Sequence, residues 1–181
     1  LWDLYDKAKT PFEWHHELFK FAKKLKIKIF SSPFSEESVN FLEKFNCPAY
    51  KIASFEMCDV SLIKHIAKKK KPLIISTGTH SLKNIEIVHK FVKKNKIKNY
   101  SFLYCVSKYP CNRDDFNLNN IKILKEKLQC KIGLSDHSVG PEIARAAIFA
   151  GAEIIEKHIN LNKIKSSLDS KFSSNEKDFI E

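Results

Sequence analysis

Two histidines, one lysine and a succession of serines carry most of the chemistry this sequence offers. His137 and His158 each close a short apolar run, in Ser135-Asp136-His137 and Glu156-Lys157-His158. Neutral imidazoles at neighbouring strand ends can share one divalent cation and leave positions open to substrate. Taken singly, each is more often a structural histidine; the pair, set among acidic residues, reverses that balance. Lys51 lies within Ala49-Tyr50-Lys51-Ile52-Ala53, where an ammonium must find an anion or suffer desolvation. The alternative is an outward-facing lysine on an edge strand. Hydroxyls at Ser32, Ser54, Ser76, Ser107 and Ser135 can ring a phosphate around that cation, though each can also cap a helix or a turn. Glu56 suits general acid/base work or acceptance of a sugar hydroxyl. It suits equally the first turn of a helix, where the dipole favours a carboxylate. Asp136 stands beside His137, placed to orient it. His15, His16, His65, His80 and His89 fall on helices or their approaches and read as surface residues.

All of the candidate groups sit where strands end. The ends read Ser31-Ser32, then Lys51 with Ser54 and Glu56, then Ser76-Thr77-Gly78, then Ser107 with Tyr109, then the two histidine segments. Strands are predicted over 26–31, 49–53, 73–75, 102–106, 131–134 and 153–156. Helices fall between them. Thr10-Pro11-Phe12-Glu13 forms a capping box with proline at the first helical position. Ser35, Asp59, Ser81, Asn117 and Pro141 mark later starts, and Gly151 marks a C-terminal stop. Alternation of this kind argues for an α/β fold with a parallel sheet covered by helices. No GxGxxG follows the first strand, which argues against a dinucleotide-binding fold. In parallel barrels the C-terminal strand ends form the active-site face. A complete TIM (β/α)8 barrel needs about 250 residues, and this chain has 181. The expectation is an incomplete barrel of about six β/α units, as one domain, with no linker.

Composition narrows the class. Hydrophobic residues make up 43% and charged residues 29%, as in soluble globular proteins. No apolar run is long enough for a membrane span. The net charge of +11 raises the alternative of a basic nucleic-acid-binding module. Only Arg113 and Arg145 are arginines, whereas base readout and bidentate phosphate contacts favour that residue. The run Lys68 to Lys71 falls at a helix C-terminus, where cations suit the dipole. No nucleic acid is therefore expected. The five cysteines are odd in number and contain no CxxC, which points to a reduced, cytoplasmic setting. The chain opens on Leu1 without a basic leader, and is expected to begin inside a larger protein.

The motifs resemble those of the sialic-acid synthase (N-acylneuraminate synthase) family. The matching segments are Ser32-Pro33-Phe34, Tyr50-Lys51-Ile52-Ala53-Ser54-Phe55-Glu56, Ile75-Ser76-Thr77-Gly78, Ser107-Lys108-Tyr109-Pro110, Gly133-Leu134-Ser135-Asp136-His137 and Ile155-Glu156-Lys157-His158. They span nearly the whole chain in the family's order. The stretch from Leu4-Tyr5 to Thr10-Pro11-Phe12-Glu13-Trp14-His15 resembles the pseudaminic-acid synthase branch. This resemblance implies a TIM-barrel transferase with a divalent metal (Mn2+, Mg2+ or Co2+) on His137 and His158. It implies phosphoenolpyruvate contacts from Lys51, Ser54, Ser76, Ser135, Ser32 and Ser107, although some members carry Thr at the position of Ser32 and Asn at that of Ser107. Glu56, Tyr109 and Asp169 match positions near the sugar, and Glu56 and Lys51 take the catalytic roles. The implied reaction condenses phosphoenolpyruvate with 2,4-diacetamido-2,4,6-trideoxy-altrose, giving a nonulosonic acid and phosphate for surface carbohydrate. N-acetylneuraminate or legionaminate synthesis is the alternative within the family. The resemblance places two strands before Leu1 and an antifreeze-like (SAF) domain after Glu181, with the full-length protein a homodimer. The isolated chain is then expected to be inactive and poorly stable, since an unclosed barrel exposes two edges.

Overall fold

The apolar runs pair side by side into one sheet. In the computed structural model, which describes residues 9–161 and 167–180, the strands are β1 (Tyr50–Ile52), β2 (Leu73–Ser76), β3 (Tyr100–Cys105), β4 (Lys131–Asp136) and β5 (Ile155–Lys157). They lie in the order β1-β2-β3-β4-β5, and every neighbouring pair is parallel. The helices are α1 (Trp14–Lys24), α2 (Glu36–Glu43), α3 (Val60–Ala67), α4 (Leu82–Lys94), α5 (Asn119–Leu128), α6 (Glu142–Phe149) and α7 (Glu176–Ile180). Right-handed crossovers that never reverse the strand order put the connecting helices on one face of the sheet. Such a sheet curves as an arc; a doubly wound sheet would reverse its order at a switch point.

Alternation along the strands separates two faces. Tyr50, Ile52, Leu73, Ile75, Phe102 and Leu134 join the apolar stripes of α2 to α5 in one buried cluster. Each fully buried aliphatic side chain there contributes roughly 1.5–3 kcal/mol. Polar contacts seal the N-terminal end of the sheet. Glu43 accepts from the Tyr50 hydroxyl and, at 2.5 Å, from Lys71 Nζ. Burial, with the Glu43 carboxylate second, pushes the Tyr50 phenol well up.

Helix starts follow the sequence in most cases. Ser35, Asp59 and Ser81 each accept from a backbone N–H three residues on. Gly151 adopts φ +97° after α6. Thr10 does not cap α1: a turn at Pro11 intervenes, with Trp14 N donating to Pro11 O at 3.1 Å, and the helix starts after Glu13. Residues 1–8, including Leu4 and Tyr5, lie outside the described residues.

The strand predicted over 26–31 is reduced to one bridge. Ser31 pairs with Tyr50, and its carbonyl accepts from Lys51 N at 3.2 Å. β1 is only three residues long, so this run finds no longer ladder to join. Ile27 is 62% exposed as a result. Among the described residues, five strands therefore stand where the sequence predicts six.

Candidate active site

The register brings the candidate residues onto one face. Cys105, Ser135 and Glu156 are neighbours in a row across β3, β4 and β5. Ser135 Oγ donates to Glu156 Oε1 at 2.7 Å. The same oxygen lies 3.6 Å from Lys51 Nζ, which donates to Ser76 Oγ at 2.8 Å and to the Ile52 carbonyl at 3.2 Å. Lys51 is only 7% exposed, so the reading as an outward-facing lysine fails. The ammonium crosses the sheet from β1 to β5 and gathers two of the predicted serines beside it.

Ser54 and Ser107 join through a glycine. Ser54 Oγ accepts from Gly78 N at 3.1 Å. A Cβ on Gly78 would fall onto the Ser107 hydroxyl and lie 2.9 Å from Ser54 Oγ and 3.1 Å from Cys105 Sγ. Only glycine lets these groups converge. Gly78→Ala is expected to leave the protein folded, because hydroxyl rotamers can yield, yet to displace both serines. Affinity for inorganic phosphate should fall about tenfold, the equivalent of about 1.4 kcal/mol, with an unchanged melting temperature. Titration calorimetry with phosphate and scanning calorimetry check this.

The two histidines face each other. Their ring centroids are 5.4 Å apart. His137 Nδ1 lies 3.0 Å from the Val106 carbonyl, so it carries the proton and Nε2 keeps its lone pair. His158 Nδ1 lies 3.2 Å from Asp169 Oδ2, which leaves its Nε2 the same way. Asp136 does not orient His137 as the sequence suggests. It is fully buried and bound elsewhere: Oδ2 accepts from Lys157 Nζ at 2.8 Å, and Oδ1 takes the Ser138 N–H and hydroxyl. Side chains alternate, so Asp136 and His137 point to opposite faces. Tyr109 packs against His137 at 4.2 Å between centroids, with the rings tilted by 43°, and its peptide bond to Pro110 is cis.

Two imidazole lone pairs suit a divalent cation. Among the described residues no third His, Cys, Asp or Glu completes a metal-binding group. The remaining positions would fall to water and substrate oxygens, the open arrangement a Lewis-acid site requires. The donor set fits.

Burial pushes both imidazoles below their ordinary value. The Val106 carbonyl opposes this at His137, and the Asp169 carboxylate opposes it at His158. Both rings are therefore neutral at neutral pH, the form a cation needs. The unfolded chain takes up these protons near pH 6.5, as free imidazole does, and the folded chain only at lower pH. Between those values the unfolded state binds more protons, so stability rises with pH. The contribution is complete above about pH 6.5 and is lost as pH falls through the folded values. The melting temperature is expected to drop below about pH 6.5, with a shallower drop in His137→Gln. Calorimetry across that window checks it, and equal slopes would contradict burial as the cause.

The remaining predicted residues are less tightly tied. Glu56 follows β1 in a 3-10 turn, Ser54–Glu56. Its Oε2 is buried without a hydrogen-bond partner among the described residues, an atom that a ligand hydroxyl would satisfy. Ser32, half-buried, follows the Ser31 bridge at the edge of the same rim. Sequence reasoning gave Glu156 no role, although its register with Ser135 was implicit in the strand spacing. His80 and His89 are not simple surface residues. His80 Nε2 donates to the Ser54 carbonyl at 2.8 Å, and His89 is buried against the Tyr100 hydroxyl at 2.9 Å.

Known proteins share this arrangement of sequence and fold. Residues 1–181 match the NeuB family. The chain is 46% identical to the pseudaminic acid synthase of Campylobacter jejuni subsp. jejuni serotype O:2, over 96% of this chain and 50% of that protein. It is 44% identical to the pseudaminic acid synthase of Helicobacter pylori, over 96% and 51%. The chain thus spans about half the length of these relatives. Among solved structures, the N-acetylneuraminic acid (sialic acid) synthetase of Leptospira borgpetersenii superposes with a TM-score of 0.92 at 35% identity, covering 97% of this chain and 61% of that one. With the family model matched along residues 1–181, the chain belongs to the NeuB family.

Proposed function

We propose that this chain forms the substrate-binding wall of a synthase that joins phosphoenolpyruvate to an amino-sugar aldehyde, the 2,4-diacetamido-2,4,6-trideoxy-altrose precursor of pseudaminic acid. One observation carries the reading. A buried ammonium, Lys51, stands among serine hydroxyls on the sheet face that also presents two imidazole lone pairs. The pseudaminic acid synthases named above support the choice of sugar.

The chemistry follows from the groups present. Lys51 offsets the phosphate charge, with Ser54, Ser76, Ser107 and Ser135 as hydroxyl partners and Ser32 at the rim. His137 and His158 hold Mn2+, Mg2+ or Co2+, which when bound polarises the aldehyde as a Lewis acid. The double-bond electrons of phosphoenolpyruvate form the new bond from its methylene carbon to the aldehyde carbon, the aldehyde oxygen takes a proton to become a hydroxyl, and the phosphate-bearing carbon becomes cationic until water, losing a proton, reaches it. Water adds at the carbon bearing the phosphate ester, whose C–O bond then breaks to release phosphate. Glu56, whose buried oxygen has no hydrogen-bond partner among the described residues, takes a sugar hydroxyl or moves a proton. Tyr109 walls the sugar side, and Asp169 reaches it from the segment after β5 while holding His158.

The same proposal extends to the fold. The run 26–31 and the five strands after it are the third to eighth members of a (β/α)8 barrel, with two strands ahead of them and an antifreeze-like domain beyond. The exposed apolar side chains of Leu18, Phe21, Leu25, Ile27 and Phe30 support this reading, as a face that neighbouring elements would cover. Among the described residues no helix is long and apolar enough to cross a membrane.

Phosphate release by the complete protein, supplied with phosphoenolpyruvate, a divalent cation and each candidate aldehyde, tests this reading. The altrose derivative is expected to turn over, with the legionaminate precursor and N-acetylmannosamine much slower. The 181 residues alone are expected to be inactive. No condensation with any of the three sugars would overturn the proposal.

A further inference from the structure

One turn grips His158 from three directions. Ser174 N donates to the His158 carbonyl at 2.8 Å, and Asn160 N donates to the Ser174 carbonyl at 2.9 Å, which fixes the backbone on both sides of the histidine. Asp169 Oδ2 lies 3.2 Å from His158 Nδ1. Phe172 meets the ring itself, edge to face, at 5.0 Å between centroids. The turn is held by its own bonds: Phe172 N and Ser173 N both donate to the Asp169 carbonyl, at 3.2 and 3.1 Å, and Ser173 Oγ donates to the same oxygen at 2.7 Å. Asp169 and Phe172 are thereby fixed relative to each other before either touches His158.

Phe172 does more than fill space beside one ring. It is 5% exposed in a segment where most neighbours are exposed. Its ring lies 6.4 Å from His137 at 89° and 5.4 Å from Tyr109 at 62°. All three contacts fall within the range in which edge-to-face aromatic pairs attract. Phe172 is thus the one side chain of this turn that bears on both histidines and on the tyrosine beside them. Asp169 selects the Nδ1–H tautomer of His158 only while that nitrogen faces it, and a contact at one atom leaves the ring free to swing or flip away. The packed phenyl face removes that freedom.

We propose that the Asp169–Ser174 turn is a clamp on His158 and that Phe172 is a positioning residue, setting the placement of the two imidazoles relative to each other. Phe172 touches no reacting atom and acts through the rings it supports. The inference rests on the reading of His137 and His158 as a cation-binding pair. Partners of this kind typically govern metal affinity by about 10–100-fold.

Two measurements on the complete protein test the clamp. The first needs no metal: long-range nitrogen–proton correlation of the histidine rings. Wild type is expected to show His158 in a single Nδ1–H tautomer, Phe172→Ala a mixture of tautomers, and Phe172→Leu an intermediate. The second is Mn2+ affinity, read from loss of the free-ion paramagnetic resonance signal. Phe172→Ala is expected to raise the Kd about tenfold or more. Ile97→Ala, a core truncation distant from the site, should lower the melting temperature and leave the Kd unchanged. A wild-type tautomer in a folded Phe172→Ala protein would overturn the clamp, as would an equal rise in Kd for Ile97→Ala. A wild type that binds Mn2+ yet condenses no sugar would refute the functional reading alone. A wild type that binds no Mn2+ would refute the cation-binding premise and with it the proposal.

Discussion

Lys51→Met in the complete protein is expected to lower kcat/KM for phosphoenolpyruvate about 10³-fold, the equivalent of about 4 kcal/mol. Methionine keeps the stem and most of the volume, so packing within β1 should survive. What disappears is the only charge contributed by the buried face of that strand. Removal of one preorganised donor from a water-poor site commonly costs about 10²–10³, and a full cation opposite a phosphate belongs at the upper end. The geometry adds a second effect. Glu156 Oε1 now sits 3.6 Å from the ammonium and takes the Ser135 hydroxyl. Without Lys51 that carboxylate faces the same phosphate uncompensated and repels it. Lys51→Met/Glu156→Gln should therefore recover part of the phosphoenolpyruvate KM while kcat stays low. Steady-state kinetics on both variants decides. A single variant within tenfold of wild type would remove Lys51 from the phosphate site.

The residues that proved legible in the sequence are those whose environment is local. Short parallel strands buried on both faces must be apolar, so a lysine inside Tyr50–Ile52 or a serine closing Leu73–Ser76 stands out without knowledge of the fold. Helix caps at Ser35, Asp59 and Ser81 are equally local, since one side chain and a backbone group three residues away make the whole interaction. Residues whose partners are remote carry no such local signal. The run 26–31 has a strand's composition, but pairing needs a ladder on the neighbouring chain segment, and β1 offers only three residues. Asp136 was assigned to its sequence neighbour, whereas strand alternation sends it to Lys157, 21 residues on. Phe172 lies in a polar stretch with no periodicity, so nothing nearby signals its contact with His137. His89 is the exception: it follows Ile85 by four residues and Val88 by one, on the stripe that α4 buries, so its burial is legible from helical spacing alone.

Replacing His137 by alanine should abolish turnover by about 10³-fold or more and weaken Mn2+ binding by at least about 100-fold, since removal of a ligand should exceed the 10–100-fold cost of removing its outer-shell support. The case differs from Lys51 in what the loss would look like. A cation held by two imidazoles and by solvent or substrate oxygens has little redundancy, because among the described residues no third protein ligand completes the group. Loss of one imidazole leaves a single nitrogen on His158, too weak a hold at ordinary metal concentrations. Raised Mn2+ should then restore part of the activity, whereas it should do nothing for Lys51→Met. The fold should tolerate the change, because the Val106 carbonyl that His137 reaches also accepts from Lys108 N at 3.0 Å and is not left without a donor. His89→Gln, on the helix face of the sheet, is the matched control and should leave Mn2+ affinity intact. Equal Mn2+ affinity in wild type and His137→Ala would mean that the cation, if one acts here, is held elsewhere.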